Sequence, residues 1–323
     1  MEANILMQKR HLTDTLALAP AHADAYAGMT AAQPHAVSRL RTARLARSSK
    51  PFLARGGPRG ARCAGCRLLP SHCLCALRPT LPTRAGVCLI MADIEPLKPS
   101  NTGWLVADVV ADTAAFGWAR TEVDPALLAM LADPQWQPCV VFPGEFVAAE
   151  RVMTALPPAR AEVGQGARRP LFVLLDATWP EARRMFRKSP YLNHLPVLSL
   201  QPERSSRYRL RRSRRDGHLC TAEVATLCLE MAGETRAAQT LDAYLDVFTL
   251  HYLQAKQQLA LDIDDPVHRR LRSLRASVGL GEAGATIVRA LRREGRRAQG
   301  TTAQGTASAS NSPGAGLGVA ARR

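Results

Sequence analysis

The stretch Pro170–Pro190, PLFVLLDATWPEARRMFRKSP, decides the fold. Leu171–Leu175 is an unbroken apolar run, too short for a helix, and predicts a strand buried on both faces, as in a parallel sheet covered by helices. The run stops at Asp176, and Thr178 and Trp179 follow at once. PEARRMFRK then predicts a helix with Pro180 at its first position, where the missing N–H does no harm. That helix carries Arg183, Arg184, Arg187 and Lys188. Ligands of open α/β sheets bind beyond the carboxyl ends of the strands, where Asp176 stands. A carboxylate there can accept a proton or grip hydroxyls and ammonium groups, and an indole face can lie on a base or a cation. The residues alone leave plainer roles open: Asp176 as a helix N-cap, Trp179 as a packed core residue, and the basic run as a solvated helix face.

Working outward, GVCLIM (86–91), CVVF (139–142) and PVLSL (196–200) predict further short buried strands. Helices are expected over 101–113, opened by an Asn or Thr cap, after Pro143 and Gly144, over 221–233, and over 240–258. Short apolar strands alternating with helices predict an α/β fold, a mainly parallel sheet flanked by helices. Four regions follow: a loosely ordered extension (1–37), a basic segment with a cysteine cluster (38–80), the α/β domain (81–262), and a flexible basic tail (263–323).

The 323 residues carry 43 Lys and Arg against 27 Asp and Glu, a net charge of +16 that favours a polyanionic partner. Much of that excess is peripheral. Residues 39–62 hold eight basic residues and no acid, and residues 268–323 hold eleven Arg and two Glu. Inside the domain, ERSSRYRLRRSRR (203–215) packs seven Arg around Tyr208. Guanidinium groups interleaved with an aromatic suit phosphates and a stacked, unpaired base. No apolar run reaches the ~18 residues of a membrane span, and the first residues do not read as a secretory signal.

Cys63, Cys66, Cys73 and Cys75 lie within CAGCRLLPSHCLC, a C-x2-C pair followed by C-x-C. Such a turn presents sulfurs to one point, and zinc prefers four of them in a tetrahedron. A closed structural zinc knuckle is the expectation. Iron–sulfur ligation, four reduced structural cysteines, and His72 in place of one cysteine are the alternatives. The other four cysteines stand singly, which fits a reducing cytoplasm.

Two more loops follow strands. DIEPLKPSNTGWL (93–105) contains Glu95, Lys98, Asn101, Thr102 and Gly103, and VVFPGE (140–145) contains Pro143, Gly144 and Glu145. Neither is a phosphate-binding or dinucleotide glycine pattern.

Taken in order, KPFLARG, CAGCRLLPSHCLC, EPLKPSNTG, VVFPGE, LLDATWPEARRMFRKSPYLNHLP, SRYRLRR and CTAEVA resemble the DTW-domain family, named for an Asp, a Thr and a Trp. Within it they are most similar to bacterial tRNA-uridine aminocarboxypropyltransferases, over about residues 38–260. Ala177 stands where the family usually has glycine. The resemblance implies a fold akin to the SPOUT methyltransferases, with or without their knot. It implies S-adenosylmethionine bound at the strand-end loops, by Asn101, Thr102, Gly103, Pro143, Gly144 and Glu145. It further implies transfer of the 3-amino-3-carboxypropyl group to N3 of a uridine, at tRNA position 47, with release of 5′-methylthioadenosine.

That chemistry distributes roles. Asp176 is the expected base, Thr178 orients it or the uracil, and Trp179 walls the site. Arg183, Arg184, Arg187, Lys188, Arg207, Tyr208, Arg209, Arg211 and Arg212 are the expected tRNA contacts. Arg183, Arg187 and Tyr208 could equally hold the donor carboxylate. The rival readings are methyl transfer from the same donor and a zinc-containing RNA-binding protein without catalysis.

Overall fold

The computed structural model describes residues 34–49, 52, 60–157, 167–201, 206–210 and 219–276. The extension over 1–33, the tail over 277–323, and Arg211 and Arg212 lie outside the described residues, and the expectations for them with them. The chain divides into two units, Met1–Arg272 and Ser273–Arg323. The fold below is that of the first.

Six strands form one sheet: β1 (Gly86–Met91), β2 (Thr113–Gly117), β3 (Trp136–Val141), β4 (Val152–Met153), β5 (Arg169–Asp176) and β6 (Val197–Leu198). Their order is β2-β1-β5-β3-β6-β4, and every pairing is parallel. The parallel α/β expectation therefore stands. All of β1 is buried, which is why GVCLIM and LFVLL read as continuous apolar runs. Cys88 and Ile90 point into a core shared with Leu171, Val173, Leu127, Leu131, Met185 and Phe186. The alternate Leu89 lies on the opposite side, against Gly103.

The helices are α1 (Ala36–Ala46), α2 (Gly103–Val109), α3 (Pro125–Ala132), α4 (Trp179–Arg187), α5 (Thr221–Met231) and α6 (Thr235–Gln257). A seventh, α7, begins at 266 and continues to the end of this unit at Arg272. Helices α3 and α4 supply the core on the Cys88 side, while α5 packs against β5, α6 and α2. Among the described residues no helix is long and apolar enough to cross a membrane.

Several boundaries differ from expectation. Helix α2 ends at Val109 because Val110 turns extended and bridges to Leu81, and the chain re-enters the sheet as β2. TAAFG carried no strand signal, being alanine-rich and half-buried at an edge. No α-helix follows Pro143. Ten residues separate Val141 from Val152, fewer than the dozen or so a helical crossover needs, and two 3-10 turns (Gly144–Phe146, Ala149–Arg151) fill the gap. Helix α4 begins at Trp179, so Pro180 is its second residue. The onset of the supposed tail is folded, with His268 and Leu271 of α7 buried.

Candidate active site and metal centre

Parallel register brings the carboxyl ends of β1, β5 and β3 side by side, with Met91 beside Asp176 and Val140 beside Val173. The loops after these strands therefore emerge on one edge of the sheet. Asp176, 2 % exposed, ends β5. Asn101 Nδ2 donates to Asp176 Oδ2 at 2.7 Å, and Thr221 Oγ1, at the start of α5, donates to Oδ1 at 2.7 Å. Two neutral donors thus fix both oxygens of the carboxylate. Asp176 is not a helix cap.

Asn101 is itself fixed. Its Oδ1 accepts from Trp104 N at 3.0 Å, capping the first turn of α2, and its Nδ2 also reaches Glu95 Oε2 at 3.3 Å. Glu95 is fully buried and pairs with Lys98. Thr102 Oγ1 accepts from Ala222 N at 3.3 Å, so the loop after β1 and the start of α5 are tied twice. Of the six expected donor-binding residues, Asn101, Thr102 and Gly103 are buried around Asp176. Pro143 and Gly144 are half-buried, and Glu145 is exposed. Gly144 N donates to Ser199 Oγ at 3.0 Å.

Thr178 and Trp179 turn to the other side of the β5 end. Thr178 caps α4 in a reciprocal box with Glu181 and is exposed. Its hydroxyl is bonded to Glu181 Oε2, a partner the sequence reading did not give it. Half-buried Trp179 stacks on Phe142 at 5.6 Å and 13° and meets Phe146 edge-on at 6.1 Å. Phe142 also stacks on Phe186 at 4.4 Å, so an aromatic cluster joins α4 to the Pro143–Glu145 loop. Asp176 lies toward Asn101 and Trp179 toward Phe142, one on each flank of the same strand end.

The basic residues divide. Arg183, Arg184, Arg187 and Lys188 are exposed on α4. Arg183 also covers Phe146 at 4.4 Å and Arg184 covers Trp118 at 5.9 Å. Arg207 pairs with Asp242 and Asp246 of α6, which Arg270 of α7 also engages. Tyr208 Oη donates to Ser100 O, at the loop that carries Asn101, and Arg209 is exposed. In the 39–62 segment, Arg41 donates to the carbonyls of Pro96 and Leu97, and Arg44 forms a bidentate pair with Asp93. This part of the segment braces the loop after β1, a role its charge did not announce.

The four cysteines converge. Their sulfurs all lie within 4.8 Å of one another, with Cys63–Cys75 at 3.5 Å, Cys63–Cys73 at 3.7 Å and Cys66–Cys73 at 3.8 Å. Sulfurs ~2.3 Å from a tetrahedral zinc stand ~3.8 Å apart, so the group has the dimensions of a four-cysteine zinc site. Leu74 N donates to Cys66 Sγ at 3.4 Å. The sulfurs share hydrogen bonds that lower the Cys63 thiol and raise those of Cys66 and Cys75, so without a metal the protons are divided unevenly among the four. Gly65 is required here, because a Cβ would lie 2.7 Å from Cys75 Sγ. His72 is not a ligand: Nδ1 is engaged by Ser71 Oγ and Nε2 by Leu259 O, each at 2.9 Å.

Thr221 is a site residue that the sequence does not announce, whereas Glu95 and Lys98 belong to the strand-end loop without a donor-binding role of their own. Thr221 sits in CTAEVA, which resembles the family, but nothing local says that its hydroxyl crosses to a residue 45 positions earlier. No solved structure matches the chain. The DTW domain family matches residues 60–253, from just before the cysteine cluster through most of α6. With that match covering more than half of its length, the chain belongs to the DTW-domain family, which is associated with tRNA-modifying enzymes.

Proposed function

We propose that the protein transfers the 3-amino-3-carboxypropyl group of S-adenosylmethionine to N3 of a uridine in tRNA, at position 47. The observation that carries this reading is the Asp176 carboxylate, pinned by Asn101 and Thr221 at the carboxyl edge of a parallel sheet. Near it lies the buried carboxylate of Glu95, reached by the same Asn101 amide. The Asp176 carboxylate suits a donor with a sulfonium and an ammonium group, Glu95 being already paired with Lys98, and the exposed basic face of α4 suits the tRNA backbone. The match to a family associated with tRNA modification supports the partner.

The reaction is a displacement at carbon. Uridine N3 gives its proton toward Asp176 and attacks the donor carbon next to sulfur. The N–C bond forms as the C–S bond breaks, the electron pair stays on sulfur, and neutral 5′-methylthioadenosine leaves. Three carbons adjoin that sulfur, so rate and outcome depend on which one faces N3, and positioning carries much of the catalysis. Asn101 and Thr221 hold the acceptor oxygens of Asp176, the loop around Thr102 and Gly103 orients the donor from that flank of the strand end, and Trp179 with the Pro143–Glu145 loop closes the site from the other flank. Arg183, Arg184, Arg187, Lys188, Arg207, Tyr208 and Arg209 bear on the tRNA. Zinc at Cys63, Cys66, Cys73 and Cys75 is structural, since all four positions are filled by protein.

The test is incubation with unmodified tRNA and S-adenosylmethionine, followed by nucleoside mass spectrometry. The aminocarboxypropyl adduct is expected, and Asp176→Ala is expected to abolish it while tRNA binding persists. A methylated uridine instead would refute the assigned group. Tight tRNA binding with neither adduct nor donor binding by calorimetry would leave a non-catalytic RNA-binding protein.

A further inference from the structure

Arg67 lies inside the cysteine knuckle, yet its side chain leaves it. Its backbone is left-handed, with φ at +67°, a region that favours glycine or asparagine. Its side chain is buried at 1 % exposure, a costly place for a permanent charge without partners. The guanidinium lies 4.2 Å over the Trp104 ring and 5.7 Å from that of Phe248. Its Nη1 donates to two carbonyls, Lys98 O and Asn101 O, each at 3.1 Å. At the other end, Arg67 N donates to Cys63 O at 2.8 Å, and Cys63 N donates to Leu68 O at 2.8 Å.

We infer that Arg67 is a positioning residue through which the four-cysteine metal knuckle sets the Asn101 loop, and through it the Asp176 carboxylate. The connection is continuous. The cysteine turn fixes the Arg67 backbone, the guanidinium fixes the carbonyls of Lys98 and Asn101, and the Asn101 amide fixes Asp176 at 2.7 Å. Without its side chain, the loop would still be held from its outer side by Arg41 and Arg44. Its inner carbonyls at 98 and 101, the ones next to the Asn101 amide, would lose the guanidinium, and Lys98 O would keep only the local bond from Asn101 N at 3.0 Å. Glycine would fit the same turn without strain, so what offsets the strain at Arg67 is the contacts of its side chain. The proposal makes the metal site part of the machinery that holds the active site, and its catalytic consequence rests on the function proposed above.

Arg67→Gly is the direct test, since it relaxes the backbone while deleting the side chain. The variant is expected to bind one zinc per chain like the wild type. Amide hydrogen exchange over 98–104 is expected to rise by about tenfold or more while the β1 and β5 amides stay protected. Transfer is expected to fall by about 100-fold in kcat, the scale of a small misplacement, with KM for tRNA nearly unchanged. Arg67→Lys, which keeps one donor in reach, should recover part of both. Wild-type exchange over 98–104 in metal-loaded Arg67→Gly would overturn the proposal.

If that variant does not fold, chelator treatment of the wild type decides. Exchange over 98–104 should rise on zinc removal before β1 and β5 open, and exchange that rises everywhere together, or nowhere, would overturn it. Loosening over 98–104 in a protein that makes no aminocarboxypropyl adduct would sink the proposed function and leave the coupling standing.

Discussion

Gly103 and Asp176 touch so closely that a methyl at position 103 would overlap Asp176 Oδ2 and lie 3.2 Å from its Cγ. The carboxylate cannot step aside, because Asn101 and Thr221 hold its two oxygens. On the far side, Leu89 Cδ1 would stand 3.4 Å from the same methyl. Helix propensity alone would favour alanine over glycine in α2 by about 1 kcal/mol. Overlap in a packed interior costs about 1–3 kcal/mol, and here it wins. Gly103→Ala is therefore expected to lower the melting temperature and to cut transfer by about 100-fold, since it moves the reacting carboxylate. Wild-type rates in that variant would show that Asp176 need not stand where it does.

Thr221→Val keeps the shape and removes the hydroxyl that donates to Asp176 Oδ1. A buried acceptor left short of its donor costs about 1–3 kcal/mol. Urea unfolding should register that loss, and transfer should fall with it. Thr221→Ser, which restores the donor, should recover both. Equal behaviour of the valine and serine variants would remove Thr221 from the site.

Three buried groups with large shifts shape the acid limb of stability. Burial pushes His35 down to about 3 from 6.5, helped by Arg67, Arg78 and Arg39, and pushes His251 down to about 4. As pH falls below 6.5 the unfolded chain takes up these two protons and the folded chain refuses them, so stability drops toward pH 4. Burial acts oppositely on Asp108, raising it to about 7 from 3.8 against the pull of Arg78 and Arg67. Its contribution is full below pH 3.8 and is lost as pH rises to about 7. Burial also raises Asp246, while Asp93, Asp133 and Asp265 are held below their ordinary values and act with the imidazoles, so the rise with pH prevails. Denaturant midpoints between about pH 4.5 and 6.5, inside those limits, should rise with pH. Asp108→Asn, which deletes the opposing group, should make the rise steeper. His35 Nε2 and Arg78 Nη1 lie 3.4 and 3.1 Å from Asp108 Oδ1, so the slope, more than the absolute stability, is the informative reading.

The exposed pair Arg187 and Lys188 offers a test of the tRNA face that leaves the sheet edge alone. If each neutralises one phosphate, the double alanine variant should lower the slope of log affinity against log salt by about 2. Filter binding across a salt series measures it. An unchanged slope would move the tRNA to another face.

Much of the fold was legible because its signals are local. GVCLIM and LFVLL are buried on both faces by helices and so read as strands without reference to anything distant. The cysteine spacing announced a shared metal point, and the sulfurs do converge. The Thr178–Glu181 cap was also open to reading, since a Thr three residues before a Glu at a helix start is a local pattern. It went unused because Thr178 was assigned to catalysis. The half-buried edge strand TAAFG gave no such signal, and neither did the missing helix after Pro143, which follows from the chain length between β3 and β4.

The sequence by itself determined β1, β3, β5 and β6, the convergence of the four cysteines, and the delivery of Asp176 to a strand end, because periodicity and spacing act over a few residues. Which partners meet that carboxylate was decided only in three dimensions. Asn101 is 75 residues away, Thr221 is 45, and Arg67 reaches Asn101 across 34. Such contacts depend on the order in which parallel strands line up and on helices crossing their ends, and no short stretch of chain encodes that order.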